Sequence, residues 1–209
     1  MEAVDVALVL AVDSSGSIST EDLVLQFRGY AQAITSDVFM NAVSAGRNGR
    51  IALTFAAWSS AGRQDQLVPW TLIDGMPAAR QFATTLLHAA YPIPGYTSIS
   101  GAISFARKIL SASGYAADRQ VIDVSGDGTN NDGRPVTEAR DEAIAAGIAI
   151  NGLPIVRSEP NIVDYYVRNV IGGNAAFVSV ARDISSFNSA VLEKFVTEIA
   201  QVDAPTRLS

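Results

Sequence analysis

Asp13-Ser14-Ser15-Gly16-Ser17 sets one carboxylate and two hydroxyls at i, i+2 and i+4. In a curling loop this spacing turns three oxygens toward one centre, whereas in an isolated turn the same residues cap the next helix. A second group, Gly95-Tyr96-Thr97-Ser98-Ile99-Ser100, offers Thr97 or Ser98 as a helix N-cap. The third runs from Ser125 to Gly133 and holds Asp127 among glycines that let the backbone turn closely. Taken together, Asp13, Ser15, Ser17, Thr97 and Asp127 supply two carboxylates and three hydroxyls. Such a set suits a hard cation: Mg²⁺ takes about six oxygens at about 2.1 Å, usually with one or two protein carboxylates and several waters, and Mn²⁺ or Ca²⁺ accepts the same chemistry.

Other chemistries find less to work with. The chain has no cysteine and a single histidine, His88, which removes thiolate nucleophiles, disulfides and multi-histidine metal sites. A metal-assisted hydrolase using the same ion needs a general base, and His88, at the end of a predicted helix, is the one residue of a type whose unperturbed pKa is near neutral. Neither a P-loop nor Gly-x-Ser-x-Gly occurs, and Ser15 stands where an Asp-x-Asp phosphatase needs its second acid. A calcium loop over Asp127, Thr129, Asn131 and Glu138 matches in part, but Asp132 falls where the sharp turn wants glycine.

The elements that must position these residues alternate. Val4 to Val12 is a nearly continuous apolar run, the pattern of a strand buried on both faces, and it stops at Asp13. A helix is predicted from Ser19-Thr20 to about Met40, then strands over Arg50–Trp58 and Gln66–Leu72 that pair as a hairpin. Helices over Ala78–Leu87 and Ile99–Ala112 precede a strand over Gln120–Ser125. Downstream come a helix over Val136–Ala146, a strand over Ile148–Ile155, a helix over Ile162–Val170, an extended stretch over Ala176–Val180 and a helix over Ser185–Ala200. This alternation predicts an α/β fold: a doubly wound, mostly parallel six-stranded sheet with one antiparallel edge strand and helices on both faces. Ligands of such sheets bind beyond the carboxyl ends of the strands, where all three polar loops lie.

With Asp13-x-Ser15-x-Ser17, Thr97 at a helix start and Asp127-Gly128 after an apolar strand, the chain resembles von Willebrand factor type A (VWA) domains carrying a metal-ion-dependent adhesion site (MIDAS). The resemblance spans about Val4 to Ala200 and implies a Rossmann-like fold. It also implies that Ser15 and Ser17 ligate a Mg²⁺ or Mn²⁺ ion directly, and Asp13, Thr97 and Asp127 directly or through water. A protein partner then presents an Asp or Glu to the open position of the metal. One departure is Ser125-Gly126 before Asp127-Gly128, where the family usually has a hydrophobic residue and Thr or Ser. More narrowly, Thr97 to Ile103 and Ser125 to Pro135 resemble an uncharacterised bacterial subgroup of VWA-like proteins, which implies an exported protein, periplasmic or secreted.

Around the five residues, Asn130, Asn131 and Asp132 either orient the ligands or are plain loop polarity, while Tyr96, Tyr91 and Trp58 are rim candidates, Trp58 more readily core. Asp123 inside Val121-Ile122-Asp123-Val124 calls for a hydrogen-bonding or charged partner.

The 209 residues are 48% hydrophobic and 17% charged, enough to bury one substantial core, read as a single domain over 4–200 with short extensions at 1–3 and 201–209. A formal charge of −6 argues against nucleic acid as a partner. Val6–Val12 is far short of the roughly 18–20 apolar residues of a membrane span. No secretory signal is read, although Met1-Glu2-Ala3 leads into a strand almost at once, as in a chain trimmed of an export signal.

Overall fold

The computed structural model describes residues 1–89, 93–157, 159–183 and 186–200. Five strands form one sheet in the order β3-β2-β1-β4-β5: β1 (Glu2–Asp13), β2 (Ile51–Trp58), β3 (Gln64–Ile73), β4 (Tyr115–Gly126) and β5 (Ile148–Pro154). All neighbours are parallel except β2 and β3, which form the expected antiparallel hairpin at one edge. Asp13 pairs with Trp58 and Val12 with Ser125, so β1, β2 and β4 finish level at one carboxyl edge.

Alternation along β1 divides the core. Val6, Leu8, Leu10 and Val12 face a layer built from α1 (Thr20–Ile34), α2 (Asp37–Ala45), α3 (Met76–His88) and α7 (Phe187–Ala200). Here Tyr30 packs edge-on to Phe55 and Phe187 at centroid distances of 5.4 and 5.5 Å. Ala7, Val9 and Ala11 face the opposite layer, built from α4 (Ile99–Ser111), α5 (Val136–Ala145) and α6 (Ile162–Tyr165). Small residues on both sides of that interface, such as Ala102, Ala106 and Ala139, match the small side chains of β1.

The structure corrects three expectations. The helix predicted to about Met40 is two helices, because the Thr35 and Ser36 hydroxyls bond back to the Ala31 and Ala33 carbonyls at 2.8 and 2.7 Å. Ser36 then caps α2, accepting from Phe39 N–H at 3.2 Å. The sheet has five strands rather than six, since 176–180 contributes only an isolated parallel bridge, Gly152 to Val178. Gly152 and Ala181 keep ladder bonds there, but Pro154 lies between them and has no N–H to continue the row. Finally, the helix expected over Ile162–Val170 is α6 followed by a π-helical turn, Tyr166–Val170.

Asp123 finds its partner in the last helix. Its carboxylate lies 2.8 Å from Lys194 Nζ, which also pairs with Glu198, and all three side chains are buried. Asn151 Nδ2 donates to Glu198 Oε1 at 2.8 Å, so the cluster ties α7 to β4 and β5. Burial lifts the Asp123 carboxyl to about 7 against the pull of Lys194. Burial also opposes the Lys194 charge, but Asp123 and Glu198 outweigh it and hold the ammonium above its ordinary value.

Candidate metal centre

The loop after β1 is pinned before it is shaped. Ser14 N–H donates to Trp58 O at 2.9 Å and Gly16 N–H to Gly95 O at 3.1 Å, tying the loop to β2 and to the segment before α4. Asp13 Oδ1 accepts from Ser15 N–H at 2.7 Å, a local turn that brings the Ser15 hydroxyl back over the strand end. Ser98, rather than Thr97, caps α4, accepting from Gly101 N–H at 3.2 Å, which leaves the Thr97 hydroxyl for the centre.

The five sequence candidates meet. Thr97 Oγ1 is 3.4 Å from Ser15 Oγ, Ser15 Oγ is 3.2 Å from Ser17 Oγ, and Ser17 Oγ donates to Asp127 Oδ1 at 2.7 Å. Adjacent oxygens of an octahedron with bonds of about 2.1 Å stand about 3.0 Å apart, so these spacings fit the edges of a Mg²⁺ or Mn²⁺ shell. Asp13, Ser15, Thr97 and Asp127 are buried, whereas Ser17 is exposed, which opens the group on one side. Asp13 Oδ2 is buried and has no hydrogen-bond partner. Burial lifts the Asp13 carboxyl to about 7; hydrogen bonds from Ser15 and the Asp127 backbone oppose this and the Asp127 charge adds to it. An unpartnered buried carboxylate oxygen beside a run of hydroxyls fits a bound cation.

The polar loop after β4 has a positional role. Asn131 Oδ1 accepts from Thr97 N–H at 2.9 Å while Asn131 N–H donates to Thr97 O at 2.9 Å, a clamp on both sides of the Thr97 backbone. Asn130 Oδ1 accepts from Ser100 N–H at 2.9 Å in the first turn of α4. Asp132 Oδ2 accepts from Ala61 N–H at 2.8 Å, anchoring the loop to the β2–β3 turn. Tyr96 is 70% exposed next to Thr97, in keeping with a rim position; Trp58 is core, and Tyr91 lies outside the described residues. His88 is exposed on α3 with Nδ1 2.7 Å from Thr84 O, on its own helix. For the calcium-loop alternative, Asn131 Oδ1 is engaged by Thr97 and Glu138 is exposed on α5.

Four residues that the sequence did not single out for the site border the group. Tyr166 and Asp13 approach the same spot: a Cβ on Gly126 would lie 2.8 Å from Asp13 Oδ2 and 3.0 Å from the Tyr166 hydroxyl. Burial first, then the charges of Asp13 and Asp127, push the Tyr166 phenol well above its ordinary value, so it keeps its proton. Arg157 Nη1 lies 2.9 Å from Asp22 Oδ2 and 3.9 Å from Asp127 Oδ2. Gln26, on the same face of α1 as Asp22, completes the set; that i, i+4 spacing and the place of Arg157 just past β5 are the signals that point to them.

Residues 3–203 match the family described as a protein of unknown function, DUF1194. The chain belongs to this family. No curated protein sequence matches this DUF1194 chain. Solved structures do. Proximal thread matrix protein 1 from the mussel byssus superposes with a TM-score of 0.69 at 13% identity, over 94% of this chain and 47% of that one. A second structure of it, described as having a zinc-occupied MIDAS motif, gives 0.65 at 16% identity over 95% and 48%. The von Willebrand factor domain of the type V pili tip protein Mfa5 from Porphyromonas gingivalis gives 0.66 at 9% identity, over 99% and 98%. The DUF1194 chain therefore has the VWA fold, and it spans about half the length of the mussel protein.

Proposed function

We propose that the chain is a metal-dependent protein-binding module of the adhesion type. Asp13 and Asp127 would balance the charge of a divalent cation, Mg²⁺ or Mn²⁺, and Ser15, Ser17 and Thr97 would add neutral oxygens. When bound, the cation supplies an open coordination position that attracts an Asp or Glu carboxylate of a partner protein. The observation that carries this reading is the run of oxygens from Thr97 to Asp127 at octahedral spacings, beside the unpartnered Asp13 Oδ2. Hydroxyls serve the purpose better than further carboxylates, because a site with only two negative charges leaves the cation attractive to a third. The zinc-occupied motif named for the mussel protein and the pilus tip protein with this fold agree with the reading. They also favour an exported, periplasmic or secreted location, and no described helix is long and apolar enough to cross a membrane.

Calorimetric titration of Mg²⁺, Mn²⁺ and Ca²⁺ into chelator-stripped protein is the direct test. One site, lost in Asp13→Ala and weakened in Thr97→Ala, is the expected result. Undiminished binding by Asp13→Ala would overturn the proposal.

A further inference from the structure

The group of oxygens does not open onto bare surface. On the side of Ser17 and Asp127 it adjoins a cavity of about 500 Å³ that Asp22, Gln26, Ile155, Val156, Arg157 and Asp183 also line. Two of these residues are unusual. Gln26 is 1% exposed and its Oε1 has no hydrogen-bond partner, so the cavity wall holds an acceptor in want of a donor. Arg157 is two-fifths exposed, and both of its ion pairs run through Nη1, to Asp22 and to Asp127. Asp22 itself is held by the Ser19 hydroxyl at 2.7 Å, so the guanidinium is positioned rather than loose. A guanidinium carries five N–H donors in a planar fork suited to a carboxylate. The two oxygens of Asp127 divide the work: Oδ1 faces Ser17, inside the group of candidate ligands, and Oδ2 faces Arg157.

Resting on the proposed function, we infer that this cavity is the second half of the partner site and that it reads an acidic peptide segment. The carboxylate that reaches the cation also takes N–H donors from Arg157. A main-chain N–H of the same segment donates to Gln26 Oε1, and the aliphatic part of the acidic side chain lies against Ile155 and Val156. Three features set the ligand class. With the metal in place the cavity has, beside the carboxylates of Asp22 and Asp183, a cation for an anion, an acceptor for a donor, and apolar wall between them. A free inorganic anion satisfies the first alone, and a simple fatty acid the first and third. An Asp or Glu within a peptide satisfies all three.

The test uses the full chain loaded with Mn²⁺ and follows water-proton relaxation, which falls when a carboxylate displaces manganese-bound water. The probes are blocked glutamate (N-acetyl-glutamic acid amide) and butyrate, which has a carboxylate and an alkyl chain but no N–H. Blocked glutamate is expected to bind wild type several-fold more tightly than butyrate. R157Q should weaken both probes about tenfold, the scale of one hydrogen bond to a charged group, while binding Mn²⁺ no more weakly than wild type. R157K, which keeps the charge and loses the fork, should recover only part of that loss. Q26L should leave butyrate unchanged and abolish the preference for blocked glutamate. Equal binding of the two probes by wild type, or an R157Q variant that holds both as wild type does, overturns the inference and leaves the metal centre standing. Failure of wild type to bind Mn²⁺ overturns both.

Discussion

Asp13 and Asp123 sit on the neighbouring strands β1 and β4, both buried and both lifted to about 7 by loss of solvent, yet the fold treats them differently. Around Asp123 the chain supplies its own cation, Lys194 Nζ at 2.8 Å, backed by Glu198 and by the Phe177 ring 5.1 Å from the ammonium. Around Asp13 it supplies hydroxyls and no cation: among the described residues no basic side chain pairs with it, and Oδ2 is left without a partner. Burial is common to the two sites, so burial does not mark function. What separates them is whether the compensating charge is covalently part of the chain. An interior aspartate that ties a helix to a sheet needs a permanent cation, whereas a cation from solution can serve only where the place is kept free and near the surface, as at the exposed Ser17.

The largest effect should come from breaking the internal pair. Lys194→Met removes the cation and leaves Asp123 and Glu198 buried together, which costs about 3–5 kcal/mol of folding stability. Urea unfolding measures this directly, and a loss under about 1 kcal/mol would mean that the cluster does not hold α7 in place. The same deletion at the other aspartate should behave in the opposite way. Asp13→Asn removes no ion pair, so metal-free stability should stay within about 1 kcal/mol of wild type. The difference appears on adding metal: Mn²⁺ at about 100 times its dissociation constant should stabilise wild type by about 2.7 kcal/mol and Asp13→Asn by none. Equal stabilisation of the two proteins would erase the contrast between the sites.

How much of this was legible in the sequence follows from how far each contact reaches along the chain. The Asp13-x-Ser15-x-Ser17 spacing is local, and parallel strand order brings Thr97 and Asp127 to the same edge, so the meeting of five side chains could be foreseen. Asp123 stood out as an acid within an apolar strand, but nothing local indicates that Lys194 answers it from the last helix. Arg157, just past β5, lies where ligands of such a sheet bind, but nothing local indicates its partners, Asp22 and Asp127, which come from two other elements. The sixth strand failed through a missing donor at Pro154, and the long first helix through two hydroxyls, Thr35 and Ser36, that compete for its last carbonyls. The periodic pattern reads apolar faces well, and it is blind to single donors that end an element.

The smallest predicted effect probes how firmly Asp13 is held. Gly126 has no Cβ, and one added there would sit 2.8 Å from Asp13 Oδ2 and 3.0 Å from the Tyr166 hydroxyl, so one of them must yield. Gly126→Ala should cost about 1–2 kcal/mol as overpacking, less than the loss of Lys194. If Asp13 is the group displaced, affinity for Mn²⁺ falls with stability; if Tyr166 moves aside, affinity is kept. Asp13 has one short bond, from Ser15 N–H through its other oxygen, and weaker hydrogen bonds from the Ser15 side chain and the Asp127 backbone, whereas the Tyr166 ring is wedged against Gly152, where a Cβ would meet its Cδ1 at 2.7 Å. The carboxylate is therefore the freer of the two, and Mn²⁺ affinity should drop about tenfold in Gly126→Ala. Adding Tyr166→Phe should restore part of it, because the hydroxyl that crowds the new methyl is gone. Restoration in the double variant would show that glycine is kept before Asp127 to leave Asp13 room. No change in either variant would mean that the unpartnered oxygen of Asp13 tolerates displacement and contributes little to holding the cation.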